Sequence, residues 1–230
     1  MHRRDRRHDR PARRRTALAL SAALLAAAPL LTACGGDAHP GAAAVVGGER
    51  IDVSSLQAEV RTARDAQSAS PQAAQLIAAT GDLGRQKLNG MIFDRILAEV
   101  ADEQGVTATR AELQRTRAAF VRENGGEEGL EAVLLQQQGV APAQIDDVVR
   151  RNVLMTKIIE KLGIAETPEG QQKLQEVFAT ASKSLDIDVN PRYGSWDDGK
   201  VQLAGGPAGA AWLRQAAAPA DAAGAGPAAG

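Results

Sequence analysis

Between Pro142 and Gly163 the chain places Ile145, Val148, Val149, Val153, Met155, Ile158, Ile159 and Leu162. At about 100° per residue these side chains spread around much of a helix circumference instead of lining one stripe. Such a helix needs cover on several sides, so the rest of the chain must be arranged around it. Pro142 stands in its first turn, where a missing N–H costs nothing. The segment therefore predicts the centre of a mainly α fold.

The flanking sequence supplies the covering helices. After Gly81-Asp82, Leu88, Ile92, Ile96 and Val100 repeat every four residues up to Gly105, with Met91 and Leu97 beside them, a broad buried stripe. Thr109 and Glu112 have the spacing of a capping box, which satisfies two free backbone N–H groups and opens a helix to about Glu123. Gly125-Gly126 break the chain, and Leu130, Val133 and Leu134 mark a shorter helix ending near Gly139. Thr167-Pro168-Glu169 starts a last helix bearing Leu174, Val177 and Phe178. On the N-terminal side, Ser54 and Gln57 repeat the capping-box spacing ahead of a helix to about Ala69, followed by a linker around Ser70-Pro71.

Strand signals occur only near the two ends. Val45 to Ile51 reads as a short strand and turn. Leu185, Ile187 and Val189 alternate with Asp186 and Asp188, the pattern of a half-buried strand. A small β pairing is expected between Ile187–Val189 and the Val45-Val46 region. Pro191 should end that strand because it donates no ladder hydrogen bond. Gly194 permits a turn, and Tyr193 and Trp196 are expected to pin the chain against the helices.

Neither end of the chain belongs to this body. Residues 1–15 carry eight Arg, an Ala/Leu-rich run follows from Ala17 to Ala33, and Leu31-Thr32-Ala33-Cys34 leads into Gly35-Gly36. A basic start and a short apolar run ending in small residues form a secretory signal, too short for a good membrane span. Leu31 to Cys34 resembles the bacterial lipobox, so residues 1–33 are expected to be removed and Cys34 lipidated. Two acyl chains on Cys34 would anchor it stably where one is marginal. The protein would then sit at the outer face of the cytoplasmic membrane. The arginine pairs leave both general and twin-arginine export open. Residues 34–44 read as a flexible tether, 45–203 as the folded domain and 204–230 as a disordered Ala/Gly/Pro tail. Within the tail Trp212 marks a docking helix or, as the blander reading, a transient helical turn.

Residue content excludes several chemistries. Cys34 is the single cysteine, so no disulfide forms within the chain. Of the three histidines, His2 and His8 lie in the signal and His39 in the tether. A Ser–His or Cys–His nucleophilic pair has no structured base, and a zinc site built on His and Cys has no ligands. Adjacent acids such as Asp146-Asp147 point about 100° apart on a helix and do not converge as an acid–base pair. No phosphate-cradling or dinucleotide loop is present. The expectation is no catalytic residues, no metal and no cofactor. The chain has 27 basic and 28 acidic residues, and removing eight Arg and two Asp with the signal leaves 19 against 26, a net charge of −7. So acidic a body is a poor nucleic-acid binder, and an anionic membrane would repel it, leaving the lipid to hold it there.

Gly81-Asp82-Leu83-Gly84 looks like the GDLG segment of parvulin prolyl isomerases, but here it sits at a helix start, where Asp is a favoured cap. A wider resemblance covers roughly Val45 to Asp198. VVGGERI, QKLNGMIFDRILAEVADEQGV, TRAELQ, GGEEGLEAVLLQQQGV and a long apolar helix ending in IIEKLG occur in that order. Together they resemble the N-terminal chaperone domain of SurA-type proteins, related to PrsA. Asn190, Pro191, Arg192, Tyr193, Gly194 and Trp196 are similar to the family's closing segment. In the family a parvulin domain commonly sits between the apolar helix and the last helix. Here a short connection stands in its place, so isomerase activity is not carried over. The resemblance implies a SurA-N-like multi-helix domain that binds unfolded or partly folded exported polypeptides without ATP. A lipoprotein scaffold for one specific envelope partner is the alternative. A continuous exposed apolar groove, on the order of several hundred Å², would support general client binding, and a polar concave face with the apolar helix fully covered would weaken it.

Overall fold

The computed structural model describes residues 40–205. β1 (Ala42–Val46) and β2 (Glu49–Asp52) form a hairpin through Gly47 and Gly48, whose φ of 59° and 77° suit the tight two-residue turn between twisted strands. β3 (Asp188–Val189) pairs antiparallel on the other side of β1, with Ala44 opposite Val189 and Val45 opposite Asp188. The expected pairing between the two ends of the domain is therefore present, with β1 as the middle strand, but the strand is shorter than expected: Leu185 caps α7, Asp186 turns at φ 43°, and Ile187 lies outside it. The tether boundary at residue 44 is corrected: the strand begins at Ala42, and Ala42, Ala43 and Ala44 are buried. α1 and α3 both pack on this strand, and methyl side chains allow the close approach.

α1 (Val53–Ala69) continues directly from β2. The expected Ser54 cap does not form. Asp52 is the cap residue, its side chain makes no capping bond, and the Val53 N–H donates to the Gly41 carbonyl at 2.8 Å. With no loop between strand and helix, backbone already satisfies the first free donor, and Ser54 falls exposed in the first turn. α2 (Ala73–Ala79) is short and buries only Leu76. Arg64 holds its C-terminal end, donating to the Thr80 hydroxyl at 2.8 Å and the Thr80 carbonyl at 2.6 Å.

α3 (Leu83–Glu103) starts at Asp82, as its sequence predicts, although the Asp82 side chain makes no capping bond. Leu88, Ile92, Ile96 and Val100 are fully buried along it. α4 (Arg110–Glu123) opens with the complete Thr109–Glu112 capping box. Lys157 donates to Glu112 at 2.8 Å; its hydrogen bond, with those of the Thr109 hydroxyl and N–H, holds the Glu112 carboxyl down at about 2. α5 (Glu127–Gln138) ends at Gly139 in the left-handed conformation, φ 60°. Pro142 heads a separate 3₁₀ turn, Pro142–Gln144, and does not itself start α6 (Ile145–Leu162). Gln144 explains the break: its side chain turns back to accept from the Ala141 N–H at 3.1 Å.

α6 is central as expected. Leu154 and Ile158 belong to the main core, formed with the sheet, α1, α3 and α7 (Pro168–Ser184). Ile145 and Val149 belong to a second core with Leu130, Leu134 and Val140, against which Leu113, Phe120 and Val121 of α4 are only partly buried. No side chain of α4 is fully buried. Each large aliphatic side chain buried in these cores contributes about 1.5–3 kcal/mol. α7 starts as expected, with the Thr167 hydroxyl accepting from the Gly170 N–H at 3.1 Å and Pro168 in the first turn. The described residues close with an unanticipated hairpin of β4 (Ser195–Asp197) and β5 (Gln202–Ala204), with Trp196 opposite Leu203. That strand moves the tail boundary beyond residue 204. Cys34 and Trp212 lie outside the described residues.

Candidate functional site

The closing segment is built around Asn190. Its N–H donates to the Ala43 carbonyl at 3.0 Å, its Nδ2 to the Ala42 carbonyl at 3.2 Å, and its Oδ1 accepts from the Arg192 N–H at 3.2 Å. One side chain thus ties β1 to the 3₁₀ turn Pro191–Tyr193. Pro191 and Arg192 are exposed, while Tyr193 and Trp196 are half-buried against the main core. Gly194 has φ 109° and ψ −147°, and a Cβ there would lie 2.5 Å from the Ala204 carbonyl oxygen and 2.7 Å from that of Gly205. Trp196 Nε1 donates to Ser182 Oγ at 2.7 Å, and Ser182 in turn donates to Asp198 Oδ1 at 2.5 Å. Ser182 is fully buried, and its hydroxyl is held between the Trp196 indole and the Asp198 carboxylate. This chain of bonds fastens the hairpin to α7; it offers no reactive hydroxyl. Asn89 adds a second fastening, its Oδ1 accepting from the Leu203 N–H at 2.8 Å.

A cleft runs between α3 and α6. Arg151 crosses it with a two-pronged ion pair to Asp94, at 2.7 and 2.8 Å. Cavities of about 380 and 310 Å³ share Asp94, Asp147 and Arg151 in their walls. The hydrogen bond to Asp94 raises the Arg151 guanidinium above its usual value. In the smaller cavity Lys87 donates to Gln144 Oε1 at 2.7 Å, and Gln144 donates to Glu59. Burial, reinforced by Arg151, lowers the Lys87 ammonium below the ordinary lysine value, against the pull of Glu59 and Asp147. The Arg151–Asp94 pair and the Lys87–Gln144–Glu59 hydrogen bonds make the cleft a polar seam joining α1, α3 and α6. Sequence reasoning did not single out Lys87, Asp94, Gln144 or Arg151. Asp94 and Arg151 stand 57 residues apart, and each alone resembles an ordinary surface charge.

A third cavity, about 640 Å³ and open to solvent, lies between α4 and the start of α5. Ala118, Val121, Gly125 and Gly126 form its apolar part, and Gln114, Arg117, Arg122 and Glu127 its polar part. Among the described residues Ile77 on α2 is the one exposed large hydrophobic side chain. A continuous, openly apolar groove is therefore not what these residues form.

The family model for the SurA-like N-terminal domain matches residues 13–159 of the 230, well over half of the chain. It takes in the elements from β1 through most of α6, while α7, β3 and the closing segment Asn190–Trp196 lie beyond it. No curated protein and no solved structure matches the chain. Helix order, the central α6 and the matched span agree: the chain belongs to the SurA-like N-terminal domain family, a chaperone-type family.

Proposed function

We propose that this chain is a lipid-anchored, ATP-independent holdase that binds unfolded or partly folded exported polypeptides outside the cytoplasmic membrane. The observation that carries the reading is the chaperone-type helical body itself, in which α6 passes to α7 through residues 163–167 alone. In related proteins an isomerase domain occupies that position. Here the closing segment Asn190–Trp196 completes the fold directly after the helices, and what remains is the polypeptide-binding half. The open α4–α5 cavity, with Ala118 and Val121 in its wall, supports weak recognition of short apolar stretches. The LTAC motif supports anchoring through Cys34, whose acyl chains would hold a body of net charge −7 at the membrane.

Light scattering of a chemically unfolded model protein tests the binding half of this proposal. The full chain at equimolar concentration, without nucleotide, is expected to suppress aggregation, and Cys34→Ala is expected to shift the protein from the membrane to the soluble fraction. Undiminished scattering at excess chain argues against a holdase, and persistent membrane association of Cys34→Ala argues against a lipid anchor. The sparse exposed apolar surface, Ile77 alone among the described residues, favours the second reading: a scaffold lipoprotein for one envelope partner. Tight capture of one native protein with no effect on aggregation would select it.

A further inference from the structure

α4 is the least covered helix of the main body, and its charges are unevenly placed. Its fourteen residues carry Arg110, Arg115, Arg117 and Arg122 against Glu112 and Glu123. Arg117 is committed to Glu127 and to Asp146, the latter at 2.7 Å, and Glu112 to Lys157. Arg110, Arg115 and Arg122 are exposed and make no ion pair among the described residues. At about 100° per residue, Arg122 and Arg115 fall about 40° and 60° from Ala118, whereas Glu112 and Glu123 fall about 120° and 140° from it. Of the three unpaired arginines Arg122 lines the α4–α5 cavity, while Arg115 lies outside its lining, two turns earlier and about 20° further round the helix. One acid, Glu127, sits on the opposite wall, already paired with Arg117. The floor between them is small and aliphatic: Ala118, Val121 and the Gly125-Gly126 break, where no side chain fills the space. The cavity's volume of about 640 Å³ is large enough for several residues of an extended or helical segment.

We propose that the α4–α5 groove docks acidic segments of unfolded polypeptides, seating small or aliphatic side chains on Ala118 and Val121 while flanking Asp or Glu residues meet Arg122 at the groove wall and Arg115 two turns along α4 outside it. The proposal rests on the client-binding reading above and assigns it a place and a charge preference. That preference runs against the whole molecule, whose expected mature net charge of −7 would favour basic partners. A local basic edge on an acidic body acts at short range, because salt confines it to about 10 Å.

Fluorescence anisotropy on the full chain tests this with two labelled, unstructured peptides that share one Ala/Val/Leu centre, one flanked by Asp/Glu and the other by Lys. The acidic peptide is expected to bind about five- to tenfold more tightly at low salt, the gap closing in about 0.5 M salt. Arg115→Glu with Arg122→Glu should remove or invert the preference while leaving circular dichroism and Tm unchanged, since both side chains are exposed. Should the double variant unfold, Arg122→Gln alone should narrow the gap. Equal affinity for both peptides, or a preference that survives these variants, overturns the groove assignment. If aggregation suppression persists in that case, the holdase reading stands and the groove alone falls. If neither peptide binds and aggregation is not suppressed, both readings fall together.

Discussion

Replacing Gly194 with Ala is expected to cost about 3 kcal/mol or more, lowering Tm by about 6–12 °C in a domain of this size. Two effects add. The backbone at φ 109° and ψ −147° is open in practice only to glycine. A methyl group would also press on the carbonyl oxygens of Ala204, in the neighbouring strand, and Gly205, just after it, and the paired strand has little freedom to retreat. The least costly escape is release of the β4–β5 hairpin, which would expose Trp196 and break its bond to Ser182. Thermal unfolding followed by tryptophan fluorescence reads both changes. Gly199→Ala, in the same hairpin, is the control: its φ is ordinary and its Cβ would meet only Asp197 Oδ1, at 3.4 Å. A Gly194 variant no less stable than the Gly199 variant would contradict the described geometry.

Truncating Ile158 to Ala is expected to cost about 2–5 kcal/mol, because it removes a fully buried side chain from the helix that joins the two cores. Its neighbour Ile159 is only half-buried, so Ile159→Ala should cost clearly less. Denaturant unfolding of the two variants side by side tests the orientation of α6 without reference to any function. Equal losses would mean that α6 is covered evenly around its circumference, against the placement of its partners.

Local patterns made much of the fold legible. The four-residue repeat of α3, the Thr109–Glu112 box, the Thr167 cap and the Ile187–Val189 alternation each arise from interactions within a few residues. What escaped depends on partners distant in sequence. Ala42–Ala44 carry no strand signal, since three alanines next to glycine suit a tether as well as a tightly covered central strand. Ser54 has the right spacing for a cap, but the Gly41 carbonyl already accepts from the helix's first N–H. The β4–β5 hairpin rests on the pairing of Trp196 with Leu203 and on Asn89, 114 residues from Leu203. Tyr193 and Trp196 stood out as the aromatics of the closing segment, and they do pack on the core. Ser182, which receives the Trp196 bond, is an ordinary helical serine until the tertiary structure brings it there. The same holds for the candidate site: the arginines of α4 are plain in the sequence, but the groove they border needs α5 to turn back at Gly125-Gly126.

The proposed holdase and the alternative scaffold differ in the breadth of what they bind. Breadth is a property of the bound population and is measured directly by crosslinking in intact cells, followed by purification of the full chain and identification of what is attached. Many different exported polypeptides are expected at substoichiometric levels, rising when export or envelope folding is stressed. A single native envelope protein attached in near-equal amount, unchanged by that stress, would contradict the holdase proposal.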